Sequence, residues 1–231
     1  MCGRFVVARA SGELAAEFEA TVVAEDPAPV SYNIAPTTRI PVVIDTTKDG
    51  ETTRRLEAAK WGLVPRWAKD ESVAVRAFNA RSETAAVKPT FREAVRKRRA
   101  IIPADGYYEW QKLADGTKQP HYIHPTDGSL LLFAGLYEWW RRADNSWLLS
   151  ATVLTRPATA GKMAELHDRI PVFVDRGEVD AWLSPETVGD ADFIATYAER
   201  GAAISPHLEV YPVDRRVGNV RINEPSLTAR I

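Results

Sequence analysis

The sequence predicts an α+β fold, in which a single domain over residues 1–231 has a curved, barrel-like, mainly antiparallel β core flanked by short helices. Short β-branched runs follow one another at close spacing, with amphipathic segments between only some of them. The regular alternation of strand and helix that a doubly wound parallel sheet needs does not occur. No Ser/Gly-rich linker divides the 231 residues, so one large domain is expected.

The elements follow from the hydrophobic pattern and the turn residues. Strands are predicted at 3–8, 40–44, 54–61, 100–102, 106–112, 121–124, 130–139, 146–155, 170–174 and 208–213. Helices are predicted at 12–20, 91–98, 158–166, 177–183 and 191–200. The turn residues Lys48-Asp49-Gly50 join the second and third strands, and Ser11 can cap the first helix. The segments 25–31 and 62–82 are expected to be irregular.

The charge distribution is uneven although the net charge is only −1. Residues 51–100 hold 13 Lys/Arg against 6 Asp/Glu, and the rest of the chain is correspondingly acidic. Such a local excess is typical of a polyanion-binding surface. A solvated helix face explains it equally well, because five of these cations are Arg92, Arg96, Lys97, Arg98 and Arg99.

Several classes of protein are excluded by what the sequence lacks. There is no Walker loop, Rossmann glycine fingerprint, Gly-x-Ser-x-Gly elbow or His-Glu-x-x-His motif. One cysteine and four scattered histidines favour neither an intrachain disulfide nor a zinc site. No secretory signal is recognisable, and the longest apolar run, 130–137, is too short to cross a bilayer. We therefore expect a cytoplasmic monomer without cofactor or metal.

The single cysteine, Cys2, directly follows Met1. If Met1 is removed, Cys2 presents an α-amine and a thiol on adjacent carbons. The amine can form an imine with an aldehyde, and the thiol can then close a five-membered thiazolidine. Such a residue can also use its own amine as the base that activates it. The alternative is a small buried hydrophobe without chemistry.

Two further side chains are candidates for proton transfer. Glu109 lies between Tyr108 and Trp110 in a predicted strand, where burial would raise the pKa of its carboxyl group. Alternation along the strand equally allows Glu109 to face solvent. His167 follows a predicted helix and precedes Arg169, so it is either a proton carrier or a histidine that interacts with the last helix carbonyls.

Four segments combine aromatic side chains with Arg, Asn or turn residues, which suits single-stranded nucleic acid as well as an ordinary aromatic core. They are 32–37, 61–67, 78–84 and 103–110. Taken in order, the motifs Cys2-Gly3-Arg4-Phe5, Asn33-Ile34-Ala35-Pro36, Trp61-Gly62, Asn79-Ala80-Arg81-Ser82-Glu83-Thr84, Asp105-Gly106-Tyr107-Tyr108-Glu109-Trp110 and His167-Asp168-Arg169-Ile170-Pro171 resemble the SRAP family, whose older name is SOS-response-associated peptidase. Residues 217–220 resemble its C-terminal signature.

The resemblance implies a compact α+β fold and a shield for abasic sites in single-stranded DNA during the DNA damage response. Cys2 would capture the ring-opened sugar aldehyde as a thiazolidine crosslink, with Glu109 as acid–base, His167 in proton transfer and Asn79 orienting the terminus. The implied DNA-binding residues are Arg4, Arg81 and Arg169 at phosphates, Pro36, Trp67 and Trp110 at sugar or bases, and Asn33. Some members carry paired tryptophans where this chain has Trp67-Ala68.

Two other functions stay open on the sequence. An N-terminal-nucleophile cysteine peptidase or amidohydrolase, including one that removes its own Met1, would use Cys2 on an amide carbonyl, with Asn79 in the oxyanion hole. A non-catalytic single-stranded DNA-binding module would carry Cys2 incidentally. The first predicts turnover of peptides without DNA, and the second predicts salt-sensitive binding that is equal for intact and abasic DNA.

Overall fold

The computed structural model describes residues 2–159 and 161–231, in which the chain forms thirteen strands and six α-helices. The strands are β1 (Phe5–Val7), β2 (Val22–Val23), β3 (Ser31–Ile34), β4 (Arg39–Lys48), β5 (Glu51–Trp61), β6 (Asn79–Arg81), β7 (Arg99–Ala104), β8 (Gly106–Lys112), β9 (Lys118–Pro125), β10 (Leu131–Arg141), β11 (Trp147–Pro157), β12 (Arg169–Pro171) and β13 (Leu208–Pro212). The helices are α1 (Ser11–Glu17), α2 (Ser82–Ala85), α3 (Arg92–Lys97), α4 (Gly161–Leu166), α5 (Val179–Leu183) and α6 (Ala191–Arg200).

Five strands close into a barrel. Antiparallel pairing runs from β5 through β4, β7 and β10 to β11. A parallel contact between β11 and β5, with Ala151 opposite Trp61, joins the two ends. Such closure leaves no free edge among these strands. The α+β class and the barrel-like, mainly antiparallel core are therefore confirmed.

A second sheet, in the order β13-β9-β8-β1-β3, packs one face on the barrel. Phe5 of β1 meets Trp61 edge-on at 4.8 Å between ring centroids and Phe133 at 5.8 Å. The opposite face of the sheet carries its own apolar cluster, which includes Tyr108 and Tyr122. Both faces of β1 and β8 are thus covered, so alternation between buried and exposed residues is lost along them.

Two predictions from short-range signals are confirmed, whereas the prediction that Ser11 caps the first helix is wrong, because Ser11 is the first residue of α1 and Ala10 is its N-cap. Asp49 and Gly50 both have positive φ, at 53° and 85°, as a two-residue hairpin turn requires. The predicted helix 191–200 matches α6, where Asp190 accepts a hydrogen bond from the Phe193 amide. The predicted helix 158–166 is realised as α4, while Ala160 lies outside the described residues. Among the described residues, 2–159 and 161–231, no helix has the length and apolar character needed to span a membrane.

The prediction of an irregular stretch over 62–82 is wrong at its end, because β6 occupies Asn79–Arg81. This strand pairs in parallel with β11, with Asn79 opposite Val153. Its partner lies more than seventy residues further along the chain, so no local pattern could indicate the pairing. β6 is the strand that brings Asn79 toward the amino terminus.

The basic segment 92–99 is divided between interior and surface. Arg99, only 1% exposed, donates hydrogen bonds to the carbonyl oxygens of Val95, Arg96, Trp182, Ser184 and Thr187. Arg98 pairs with the buried carboxylate of Glu138 at 2.8 Å. The other three basic side chains, those of Arg92, Arg96 and Lys97, are exposed. Arg98 and Arg99 therefore stabilise the fold, and only the exposed three are accessible to a polyanion.

Candidate active site

Cys2 lies buried at the end of the second sheet. β1 and β8 are antiparallel, with Phe5 opposite Tyr107, and the Tyr108 amide donates to the Arg4 carbonyl at 2.9 Å. Because the two strands run in opposite directions, the residues before Phe5 approach those after Tyr107, and Cys2 lies toward Glu109. The thiol is fully buried, and burial together with the charge of Glu109 raises its pKa. The sulfur is therefore a protonated thiol that needs a base before it can react.

Glu109 is the base at hand. Its side chain is only 3% exposed because both faces of β8 are covered, which decides the question that the sequence left open. Burial raises the pKa of this carboxyl group from 4.5 to about 7. Half of the molecules thus carry the proton near neutral pH, the condition that suits a group acting both as acid and as base.

Asn79 holds the backbone next to the thiol. Its Nδ2 donates to the Cys2 carbonyl oxygen at 2.7 Å. The residue is fixed from both sides, because β6 pairs with β11 and the Trp61 indole donates to the Phe78 carbonyl at 2.8 Å. The Oδ1 atom of Asn79 is buried and accepts no hydrogen bond from any described residue. An acceptor is therefore available beside the Cys2 backbone.

His167 caps the end of α4, with its amide donating to the Met163 carbonyl at 3.0 Å. Its Nδ1 lies 3.0 Å from the Arg169 amide and 2.6 Å from Asp168 Oδ1. The neutral ring accepts from the amide, whereas a protonated ring donates to Asp168. Burial lowers the pKa of His167, so the neutral form is favoured at neutral pH. Helix α4 joins this residue to β8, since Tyr107 Oη donates to Met163 Sδ at 3.2 Å.

Arg4 and Asn33 form one unit near Trp110. The Arg4 Nη1 atom donates to Asn33 Oδ1 and to the Val217 carbonyl, each at 2.7 Å. Its guanidinium carbon lies 5.7 Å from the Trp110 ring centroid. Asn33 is 5% exposed, and its Nδ2 donates to the carbonyls of Asn219 and Ile222. Asn33 therefore lies behind Arg4, where it fixes the guanidinium and the C-terminal turn.

Arg169 is enclosed by protein groups. It is 6% exposed and forms a bidentate pair with Glu83 at 2.7 and 2.8 Å. It also donates to the hydroxyl and carbonyl oxygens of Thr155. The hydrogen bonds from Arg169 lower the pKa of Glu83 to about 2. The pair, which the sequence motifs contained but did not indicate, joins α2, β11 and β12 beside His167.

The remaining predicted residues lie further toward solvent. Arg81, exposed on β6 two residues after Asn79, makes no ion pair with any described residue. Pro36 is half-buried in the loop after β3, and Trp110 is half-buried on β8. Trp67 is 60% exposed, with its indole nitrogen 3.3 Å from the Pro89 carbonyl. Residues 2–159 and 161–231 contain no group of three or more His, Cys, Asp or Glu arranged for a metal ion.

Comparison with known proteins identifies relatives over the whole chain. The model of the family described as SOS response associated peptidase (SRAP) matches residues 1–220. The chain is 35% identical to the abasic site processing protein YoqW of Bacillus subtilis, over 98% of each chain. It is 30% identical to the abasic site processing protein YedK of Escherichia coli, over 96% of each. A crystal structure from Bacteroides thetaiotaomicron superposes with a TM-score of 0.80, at 22% identity and full coverage of both chains.

Proposed function

Since this chain belongs to the SOS response associated peptidase (SRAP) family, we propose that it binds abasic sites in single-stranded DNA and captures them covalently through Cys2. Two relatives that match nearly end to end are named abasic site processing proteins. The capture would shield the lesion during the DNA damage response, on the nucleoid of a reducing compartment. Met1, which lies outside the described residues, would first be removed.

The reaction we propose balances with the release of one water. The Cys2 α-amine adds to the aldehyde carbon of the ring-opened sugar, and the resulting hydroxyl group leaves as water once an acid has protonated it. An imine remains. The Cys2 sulfur then adds to the imine carbon, its proton passes by way of a base to the nitrogen, and a thiazolidine results. The α-amine has a pKa of about 7.7–8.0, so part of it is neutral and nucleophilic at neutral pH.

One observation carries the proposal: the Glu109 carboxyl group is buried within electrostatic reach of the Cys2 thiol, with its pKa raised to about 7. In its protonated form it can supply the proton that releases water. In its ionised form it can accept the thiol proton, which burial otherwise retains on sulfur. One residue thus serves both steps in sequence.

Asn79 and His167 would assist. Asn79 fixes the Cys2 carbonyl through Nδ2, and its buried Oδ1 can accept an N–H of the new amine or a sugar hydroxyl. His167, with Asp168 at 2.6 Å, can carry a proton between the site and solvent, including in reversal of the link.

For DNA binding we propose a surface of Arg4, Arg81, Trp110, Pro36 and Trp67. Arg81 offers a free guanidinium for a phosphate, and Trp110, stacked under Arg4, offers a ring for a base or sugar. We propose a positioning role for Arg169 and Asn33 and no direct contact with DNA. Their polar groups are engaged by Glu83 and Arg4, so they position the residues that touch the strand.

The test is a denaturing-gel crosslinking assay with single-stranded oligonucleotides. Protein beginning at Cys2 is expected to shift an abasic oligonucleotide, and to leave an intact one or one with its aldehyde reduced to an alcohol unshifted. Cys2→Ala and a variant with retained Met1 are expected to be inactive. A shift of equal yield with either variant would contradict the proposal. Turnover of peptide substrates by the same preparation would favour an N-terminal-nucleophile hydrolase instead.

A further inference from the structure

A buried arginine away from Cys2 has too few partners. Arg156 of β11 is 8% exposed. Its Nη2 meets Ser205 Oγ at 3.2 Å, and its Nη1 meets the Pro157 carbonyl only at 3.4 Å. Its Nε is buried and donates to no described residue, and no ion pair joins Arg156 to a carboxylate among those residues. Burying such a cation is unfavourable unless something compensates its charge.

The other deeply buried arginines are fully compensated. Arg169 has the bidentate Glu83 pair and two oxygens of Thr155. Arg99 has five backbone carbonyls, as many as a guanidinium has N–H donors. The fold therefore satisfies buried guanidinium groups elsewhere, and Arg156 differs from them in facing a cavity.

That cavity has a volume of 460 Å³ and a one-sided charge pattern. Arg156, Lys162 and Ser205 supply its polar wall, while Met163, Ile170 and Val210 belong to its apolar wall. The described residues that line it include no aspartate or glutamate, whereas a second cavity that Arg156 also borders is lined by Glu83 and Asp192. Arginine, lysine and serine side chains that line one space offer the types of donor that protein sites use for phosphate.

We propose that this cavity is a phosphate-binding subsite, in which Arg156 and Lys162 hold the anion and Ser205 donates its hydroxyl proton. The volume exceeds that of one phosphate, so the ligand would carry the phosphate on a larger body. A nucleic-acid backbone and a free nucleotide share this chemistry. Arg156 and Thr155 are successive residues of β11 and point to opposite faces of the strand, so the subsite is separate from the Arg169 side, although Met163 of its wall contacts Tyr107 of β8. Thr155 bonds Arg169 on the other face.

The first test measures thermal unfolding with inorganic phosphate, at an ionic strength held constant with chloride. Phosphate at ten times its Kd is expected to raise the Tm of the wild-type chain by about 3–6 °C. Arg156→Met, which fills the same space without charge, is expected to lose this response. Its Tm in phosphate-free buffer should be no lower than that of the wild type, since an uncompensated buried cation is removed. Lys48→Gln, an exposed change in the β4–β5 hairpin outside the cavity, is the control and should respond fully.

A full phosphate response in Arg156→Met, or an equal response of the wild type to chloride, would overturn the proposal. If Arg156→Met does not fold, Lys162→Met at the exposed rim decides the matter, because it should weaken phosphate binding several-fold without loss of stability. Intact oligonucleotides and mononucleotides then identify the source of the phosphate. If an oligonucleotide raises the Tm of the wild type but not of Arg156→Met, the phosphate belongs to a nucleic-acid backbone. If only a mononucleotide raises the Tm, the ligand is a free nucleotide.

Discussion

Two carboxylates of the candidate site, Glu109 on β8 and Glu83 on α2, have opposite electrostatics. Glu109 is 3% exposed, and burial raises its pKa to about 7. Glu83 has a side chain 45% exposed, and the hydrogen bonds of Arg169 lower its pKa to about 2. The difference arises because the hydrogen bonds of Arg169 dominate the pKa of Glu83, whereas burial dominates the pKa of Glu109.

This contrast distinguishes a carboxylate that can exchange a proton, Glu109, from one that stabilises the structure, Glu83. A carboxylate locked in a bidentate pair keeps its charge at any physiological pH, so Glu83 can hold β12 and Arg169 in place but cannot exchange protons. Glu109 exchanges its proton near neutral pH and adjoins the only cysteine. Each carboxylate can be changed separately, and the expected effects differ in kind.

The largest effect is expected for Glu109→Gln on the rate of crosslinking. Loss of a general acid–base group should slow the reaction by about 10²- to 10⁴-fold. In the wild type the rate should rise with pH as the α-amine loses its proton. It should fall again above about pH 7, where Glu109 loses its own proton, so the rate has a maximum near neutral pH. Glu109→Gln should keep the acid limb and lose the alkaline one.

The measurement is the single-turnover rate of adduct formation between pH 5.5 and 9. Glu93→Gln, an exposed change on α3, is the control and should leave the rate and profile unchanged. An unaltered rate in Glu109→Gln across this range would remove Glu109 from the mechanism.

The second effect is a gain in stability from the same change. The unfolded chain releases the Glu109 proton near pH 4.5 and the folded chain near pH 7. The free energy of unfolding of the wild type therefore decreases as the pH rises between these values. The full penalty is about 3 kcal/mol above the folded pKa. Glu109→Gln should therefore match the wild type at pH 4 and exceed it at pH 8 in urea unfolding. A gap that does not widen with pH would show that Glu109 is not strained by burial.

Glu83→Gln should act in the opposite direction. It leaves Arg169 without a counter-ion and is expected to cost about 1–3 kcal/mol at pH 7. The pKa of Glu83 is lower in the folded chain than in the unfolded chain. Its contribution to the free energy of unfolding is therefore fully present above pH 4.5 and is lost as the pH falls toward 2. The difference in unfolding free energy from the wild type should shrink over that range. A constant difference down to pH 2 would mean that the ion pair is not its source.

The smallest effect is expected for Asn79→Ala. Removal of the hydrogen bond to the Cys2 carbonyl should cost about 1 kcal/mol in stability and about tenfold in the crosslinking rate. The loss should appear in the rate at saturating DNA more than in DNA affinity, since Asn79 orients Cys2. Ser72→Ala, on the exposed turn after β5, serves as the stability control. A pure loss of affinity would instead make Asn79 a DNA contact.

The sequence predicted much of the fold because its signals are local. The Asp49-Gly50 turn and helix 191–200 depend on neighbours within a few residues, and both are confirmed. β6 was missed because its hydrogen bonds come from β11. The closure of the barrel likewise depends on a parallel contact between Trp61 and Ala151, which no periodicity encodes.

At the site, the motifs indicated Glu109 and Asn79 but not their surroundings. Alternation could not settle whether Glu109 is buried, because both faces of β8 are covered. The pairing of Arg169 with Glu83 spans 86 residues, and the role of Arg169 as a phosphate ligand stays a prediction. No local signal marks such a pair, although both residues stand in motifs that the sequence singled out.

The central claim, that the amine and the thiol of Cys2 act together on one aldehyde, is tested most directly by intact-protein mass spectrometry. Protein whose N-terminus has been verified as Cys2 is incubated with an abasic single-stranded oligonucleotide. The account predicts one adduct per chain, equal in mass to protein plus oligonucleotide less one water, resistant to borohydride and with no free thiol left to alkylate. An adduct that borohydride reduces, that still takes up one alkylating group on Cys2, or that forms with Met1 in place would contradict it.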